Sequence, residues 1–510
     1  MFKTIKSDLP ASIVVFFVAL PLCLGIALAS GAPLFSGLIA GIVGGVVVGS
    51  ISGSKIGVSG PAAGLAAIVL TSIASLGGFE NFLVAVVLGG VIQLILGVVK
   101  AGVIGYYFPS SVIKGMLTGI GIIIIMKQIP FFFGYDKSIG GFSMDAINVG
   151  STVIGVISLG ILILWQQVLS KKGKIFQLVQ GPLVAVVVGI IFYVITQGSE
   201  QLAIHAKQLV SVPVPESMDS FLGQFTFPNF GAITNKDVWI VAFTIAVVAS
   251  LETLLCVEAT DKLDPDKNVT PTNRELLAQG VGNIVSGLVG GLPVTQVIVR
   301  SSANIQSGGK SKMSAIIHGF LLLISVILIP TLLNKIPLSV LAAVLLIVGY
   351  KLANPSTFIN MYKLGRKQFI PFMATVLPMV VTGDLLLGIG LGLAVGIVVI
   401  LYKNYQNSHF LHIEDKSNGV HKIKMTLAEE VTFFNKGAIL KELDSLPENT
   451  YLELDVRQTR YLDNDIIEIL EDFAYKAKER SIDIKLISER GIVENPESFI
   501  EFFKLRPQSA

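Results

Sequence analysis

Apolar segments long enough to cross a bilayer recur along most of this chain, and no other property narrows its possible folds so far. They lie near residues 11–31, 33–52, 61–76, 79–99, 110–130, 147–168, 179–197, 237–258, 274–290, 294–306, 313–333, 336–352, 368–383 and 385–403. A spanning helix needs about 20 apolar residues, so the pattern reads as an α-helical polytopic membrane protein with fourteen spans, two of them short. Composition agrees: 52% of the 510 residues are hydrophobic and 14% are charged, too apolar for a soluble chain. The two cysteines, Cys23 and Cys256, fall inside apolar runs. They suggest neither a disulfide framework nor a metal cluster, and nothing calls for a cofactor.

Charge places a domain boundary. Residues 408–510 hold 14 Lys and Arg against 20 Asp and Glu, whereas residues 1–407 hold 24 against 15. A membrane domain over 1–407 followed by a soluble, acidic domain over 408–510 is expected. The basic excess of the first part lies in loops between spans, so it argues for no nucleic-acid partner. Lys3 and Lys6 precede an apolar run that continues through Ala29 without a small-residue cleavage pattern, so the first span should be retained.

Orientation follows from the loops. With a cytoplasmic N-terminus, the inside loops carry Lys55, Lys100, Lys171, Lys172, Lys174, Lys262, Lys267, Lys310, Lys312, Lys363, Arg366 and Lys367. The outside loops carry few basic residues, such as Lys137, Lys207, Lys236 and Lys335. Both termini are then cytoplasmic, and a bacterial inner membrane is the expected location. The longest polar break, 198–236, divides the spans into two sets of seven, about 1–197 and 237–407. Because seven is odd, the second set runs inverted relative to the first.

The third element of each set is short and interrupted. The first reads Gly57-Val58-Ser59-Gly60-Pro61-Ala62-Ala63-Gly64, and the second reads Gly290-Gly291-Leu292-Pro293-Val294-Thr295 followed by Gln296 and Arg300. Matching interruptions of this kind point to a binding site near the membrane midplane. Helices starting at Pro61 and Pro293 would aim their N-terminal dipole ends at one point, which is an anion site built largely of backbone. Arg300 would be costly to bury without an anion or acid, by at least about 2.5 kcal/mol; it either serves the anion, snorkels to the surface or pairs with an acid. Ser59, Ala62 and Ala63 are small enough to let an anion approach. Glu252, in ASLETLLCVEATDKL, falls near mid-span and either couples a cation, carries a proton or pairs with Arg300. Glu258 reads as interfacial, and His318 and Gln93 as lone structural polar residues.

The segments GSKIGVSGPAAGL, TNRELLAQGVGNIVSGLVGGLPVT and VRSSANIQSGGKSK, with the acidic C-terminal part, resemble the SulP (sulfate permease) family of anion transporters. That resemblance implies a seven-plus-seven inverted repeat divided into core and gate domains, and an anion site between the third and tenth spans. It also implies an elevator-like movement and a homodimer. Sodium-coupled members have an acid followed four residues later by Thr in the eighth span, and another Thr two residues before the tenth-span Arg. Here those positions are Glu252, Cys256 and Ile298. The acid is kept and both hydroxyls are missing, which favours a proton over Na+ at the coupling position. Val299 stands where many members have Ser, and Thr295 and Gln296 are the polar residues left to select the anion.

Within 408–510, strands are expected at 409–414, 421–427, 451–456 and 482–488, and helices at 464–481 and near 495–504. The segment YLELDVRQTRYLDNDIIEIL resembles a STAS domain, a small α/β module. Asn464 follows Asp463 where phosphorylated relatives have Ser, so a dimerisation or regulatory role is expected rather than a phosphorylation switch. The favoured function is secondary transport of a small inorganic anion, sulfate or bicarbonate. An anion-sensing signalling protein, an uncoupled channel and a dicarboxylate transporter remain alternatives.

Overall fold

The computed structural model describes residues 4–103, 109–135, 147–169, 172, 176, 180–214, 223–406, 409–417, 420–496 and 498–499. Chain contacts divide it into two compact units, Met1–Leu393 and Ala394–Ala510; the division falls within the last apolar helix.

A helix stands in each of the fourteen apolar segments. In chain order they are α1 (Ile5–Ala29), α2 (Leu34–Val43), α3 (Ala66–Ser75), α4 (Phe79–Val98), α5 (Ser110–Phe132), α6 (Val149–Gln167), α7 (Gly181–Thr196), α8 (Lys236–Leu263), α9 (Thr272–Leu288), α10 (Ile298–Gln306), α11 (Met313–Leu328), α12 (Leu338–Leu352), α13 (Arg366–Thr382) and α14 (Leu385–Gln406). Two short helices that the hydropathy pattern did not announce, Pro330–Leu333 and Pro355–Lys363, follow α11 and α12. Many exposed side chains of the spans are large and apolar, including Ile95, Ile195, Phe243, Leu328 and Val381, as lipid contact requires. The protein is integral to a membrane.

Packing sorts the helices into two groups. In one, α4 packs against α8 and α9, and α1 against α2 and α11; in the other, α5 packs against α12 and α13, and α6 against α7 and α12. The groups thus interleave spans from both halves, as a core and gate division demands. Small residues set the closest approaches. A Cβ on Gly90 would lie 2.7 Å from the Gly280 carbonyl oxygen, and one on Gly121 would lie 2.6 Å from that of Gly349. In lipid, where tails are as apolar as Leu, such backbone proximity is what holds helices together.

One irregularity in α2 serves the site. After Val43 the helix loosens into a π turn, Gly44–Val48, before ending at Ile51. A Cβ on Gly44 would sit 2.5 Å from the Ser59 carbonyl group, so only glycine lets the turn pass this close to the third element.

The C-terminal unit continues beyond the end of α14 as a five-stranded sheet. Its strands are β3 (His409–Ser417), β4 (Val420–Leu427), β5 (Thr450–Asp455), β6 (Asp483–Ser488) and β7 (Gly491–Glu494), hydrogen-bonded in that order; β1 (Ser59–Pro61) and β2 (Val294–Gln296) belong to the membrane unit. The pairs β4–β5 and β5–β6 are parallel and the outer pairs antiparallel. Two helices, α15 (Lys436–Ser445) and α16 (Asn464–Glu479), complete the α/β layer. Ile466, Ile467, Leu470 and Phe473 of α16 are buried against the sheet residues Met425, Leu452 and Leu486. Helix α15 and strand β7 were not expected from sequence. Gly491–Glu494 is mostly exposed and lacks the apolar alternation that signals a strand. Residues 495–496 and 498–499 are not helical, and the rest of the helix expected near 495–504 lies outside the described residues.

Candidate anion site between two half-helices

The two interrupted elements meet as a short antiparallel ladder, β1 (Ser59–Pro61) and β2 (Val294–Gln296). Ser59 stands opposite Gln296, Gly60 opposite Thr295 and Pro61 opposite Val294. From β1 the chain passes through extended Ala62 and a 3-10 turn, Ala63–Leu65, into α3; from β2 it passes through extended Val297 into α10. This corrects the expectation that helices begin at Pro61 and Pro293. Pro61 instead ends β1, Pro293 precedes β2, and α10 starts at Ile298. The extended segments satisfy each other's backbone groups, and a proline at the end of so short a strand removes no bond the ladder depends on.

Side chains alternate across a ladder, and this separates the expected site residues into two faces. Gly60 and Thr295 share one. A Cβ on Gly60 would fall 1.8 Å from Arg300 Nη1, so the guanidinium lies directly against the Gly60 backbone. Arg300 is 0% exposed; it does not snorkel to the surface. Its Nη2 lies 3.4 Å from Cys23 Sγ, while Nε and Nη1 have no hydrogen-bond partner, and Thr295 Oγ1 is likewise buried and unpartnered. Among the described residues no carboxylate comes within 4.0 Å of Arg300, and the pairing with Glu252 considered from sequence is not formed. Buried donors without acceptors are costly. Here they leave a fixed positive charge able to receive an anion.

Ser59 and Gln296 occupy the opposite face and turn away from Arg300. Ser59 Oγ accepts from Gln279 Nε2 at 2.8 Å, and Gln296 Nε2 donates to Thr260 Oγ1 at 3.2 Å. Gln279 Nε2 also donates to Glu275 Oε1 at 3.0 Å, and the other carboxylate oxygen accepts from Ser52 Oγ at 2.6 Å. Asn283 grips Val294, accepting from its N–H at 2.6 Å and donating to its carbonyl at 3.1 Å, and it reaches Gln93 Oε1 at 2.6 Å. Glu275, Gln279 and Asn283 thus hold the ladder in place, and Gln93 belongs to their network rather than standing alone. Sequence reasoning passed over the first three, although their spacing of four residues along α9 marks one polar stripe on a helix.

Glu252 and Cys256, one turn apart on α8, lie beside the two helix starts. The Glu252 carboxylate accepts from the Gly64 N–H, a Cβ on Gly64 would lie 2.7 Å from Oε2, and Oε2 itself has no hydrogen-bond partner. Cys256 faces the N–H of Ile298. In α10 the first backbone bond is Ser301 N–H to Val297 O at 3.1 Å, so the amides before it must find partners outside the helix. Ala62 is buried and Ala63 half-buried.

The half-helix α10 is tied along the chain preceding β1. Ser301 Oγ accepts from Val58 N–H at 3.0 Å, and Asn304 Nδ2 donates to Ile56 O at 2.9 Å. Beyond α10, Asp8 accepts from the N–H groups of Lys310 and Ser311 and from Ser311 Oγ, fixing the Gly308-Gly309-Lys310 turn to α1. Glu258 is exposed and pairs with Lys262 at 2.5 Å, in keeping with an interfacial position. His318 is fully buried, its Nδ1 2.6 Å from Ala315 O.

The family model described as the sulfate permease family matches residues 5–375. The chain belongs to the sulfate permease family. Relatives within reach of it include the Bacillus subtilis protein YvdB, which carries a provisional sulfate-transporter name; it is 27% identical over 409 residues, 78% of this chain and 73% of that protein. The bicarbonate transporter BicA of Picosynechococcus is 24% identical over 444 residues, 84% of this chain and 76% of its own length. Among solved structures, the transmembrane domain of a cyanobacterial BicA aligns with a TM-score of 0.65 at 25% identity, covering 76% of this chain and 98% of that domain. The α/β order of the C-terminal unit is consistent with the STAS resemblance read from sequence.

Proposed function

We propose that this sulfate permease family member is a secondary transporter of a small oxyanion, sulfate or bicarbonate. The anion is held between the starts of α3 and α10, with Arg300, Thr295 and Gly60 on one ladder face and the lead into α3 at Ala62–Ala63 beside them. The observation that carries this reading is a fully buried guanidinium with two unpaired nitrogens, set beside two half-helix starts. Preorganised N–H donors and helix dipoles of this kind suit an anion and need no counter-carboxylate.

Glu252 is the coupling group. Its carboxylate rests at the start of α3, where it competes with the transported anion for the same positive field, so protonating it frees that end of the site. Cys256 supplies sulfur where a Na+ ligand would be oxygen, which favours a proton. Release on the other side follows if the group containing α3, α8 and α10 slides past the group containing α5, α12 and α13, an elevator-like step. The membrane domain, 1–407, lies in a bacterial inner membrane with both termini cytoplasmic, and residues 408–510 form a STAS-like domain that supports a homodimer or regulation.

Purified protein reconstituted in proteoliposomes should take up labelled sulfate or bicarbonate when an inward proton gradient is imposed, and Glu252→Gln should abolish the dependence on that gradient. Proton dependence that survives the substitution removes Glu252 from the coupling role. Uptake of a C4-dicarboxylate alone, or conductance without a coupling ion, would favour the dicarboxylate or channel reading.

A further inference from the structure

The short helix Pro355–Lys363 and the turn that joins it to α13 carry basic and apolar side chains together on an open surface. One side of the helix is pinned to the protein. Met361 is buried, Phe358 meets Phe372 edge-on with ring centroids 5.2 Å apart, and they cluster with Phe369 and Val376 of α13. The other side is open: Ile359, Tyr362 and Lys363, at spacings of three and four, share it. Ile359, Tyr362 and Leu364 are 54%, 70% and 62% exposed, and Lys363, Arg366 and Lys367 are exposed among them. The charge is of one sign. No Asp or Glu occurs in the sequence between Glu275 and Asp384, and neither Lys363 nor Arg366 forms an ion pair among the described residues. Basic residues of other loops predicted on that side are engaged within the protein: Lys262 pairs with Glu258, and Lys55 donates to Asn268 at 2.6 Å. At the end of a spanning helix, a segment of this composition suits the headgroup layer, where apolar side chains enter the acyl boundary, tyrosine sits at headgroup level and Lys and Arg meet anionic lipid. An acidic protein face would meet the charges alone; a leaflet of anionic lipid meets both the charges and the apolar side chains between them.

We propose that the helix Pro355–Lys363 and the turn to α13 form an interfacial anchor that binds anionic phospholipid. Lys363, Arg366 and Lys367 hold headgroup phosphate, and Ile359, Tyr362 and Leu364 enter the leaflet. The inference stands on the membrane location of the chain and holds whichever anion is carried.

The test places a fluorescent reporter on the surface by Tyr362→Trp in the full-length protein, reconstituted in bilayers that contain brominated phosphatidylglycerol or brominated phosphatidylcholine as quencher. Emission from Trp165 and Trp239 is subtracted with the unsubstituted protein. Both lipids should quench the Y362W indole. Each basic residue beside an anionic surface is worth about fivefold, so the relative binding constant should favour phosphatidylglycerol by about tenfold or more at low salt. Adding Arg366→Gln should lower that ratio by about fivefold. Neutralising Lys363, Arg366 and Lys367 together with Gln should bring it close to one, as should about 1 M salt, where the screening length is about 3 Å. Lys363→Arg with Lys367→Arg should keep the ratio, which separates charge from packing. An indole that neither lipid quenches, as cover by another protein surface would give, overturns the proposal, and so does a ratio that Arg366→Gln leaves unchanged.

Discussion

Gly60→Ala is the smallest change that should disable the site without removing any charged group. The new Cβ would lie 1.8 Å from Arg300 Nη1 and 2.9 Å from Cζ, whereas ordinary contact begins near 3.4 Å. The guanidinium must therefore retreat by about 1.6 Å. It is fully buried, so the retreat cannot be into solvent. For an anion about 4 Å from the charge at an effective dielectric constant of about 20, that retreat weakens the attraction by about 1 kcal/mol, about fivefold in affinity. Loss of a charge-assisted hydrogen bond would add about 1.5–3 kcal/mol. Crowding of the packed site should also destabilise the fold by about 1–3 kcal/mol. The assay is the concentration dependence of anion uptake in proteoliposomes, alongside thermal unfolding in detergent. KM should rise by about fivefold to several hundredfold while the protein remains folded. An unchanged KM in a variant that carries the alanine and folds normally would refute the placement of Arg300 against Gly60 as part of the anion site.

Two further outcomes test the scaffold. A Cβ on Gly309 would lie 2.1 Å from Asn304 Oδ1, so Gly309→Ala should loosen the tie between Asn304 and Ile56 and lower the thermal unfolding midpoint; a midpoint equal to that of the unsubstituted protein would contradict the packing described. In the C-terminal unit, paired hydrogen bonds from Arg457 at 2.6 and 2.9 Å, with Lys424 at 3.2 Å, hold the Asp455 carboxyl down at about 2, below the ordinary value of 3.8. A carboxyl held lower in the folded state contributes stability above pH 3.8 and loses it as the pH falls towards 2. Asp455→Asn should therefore destabilise the protein at neutral pH and flatten its stability profile between pH 4 and pH 2, as followed by circular dichroism; a profile unaltered by the substitution would count against this ion cluster.

The sequence made the spans and the pairing of the two interrupted elements legible because both rest on hydropathy and on proline and glycine, which act locally. It misplaced the helix starts because local rules allow Pro61 and Pro293 to open a helix, and only the partner strand, more than two hundred residues away, turns those segments into a ladder. The same blindness explains Ser59 and Gln296. Residue type marked both as polar site candidates, but strand alternation sends them to Gln279 and Thr260. Arg300 and Glu252 were visible as charges within apolar runs, whereas their lack of mutual contact required the tertiary structure. In the C-terminal unit, α16 announced itself by its apolar stripe, and β7 did not because it lies at the sheet edge with little to bury.

Arg300 is the fixed positive charge on which the proposed anion site depends. The most direct measurement is the binding of labelled sulfate and of labelled bicarbonate to purified full-length protein and to Arg300→Gln, with thermal unfolding to confirm that the variant is folded. Removing a buried cation that receives the anion should weaken binding by about tenfold or more. It should also relieve the cost of unpaired donors, so the variant unfolds no more readily than the original. Anion binding of equal strength in the folded Arg300→Gln protein would contradict the account.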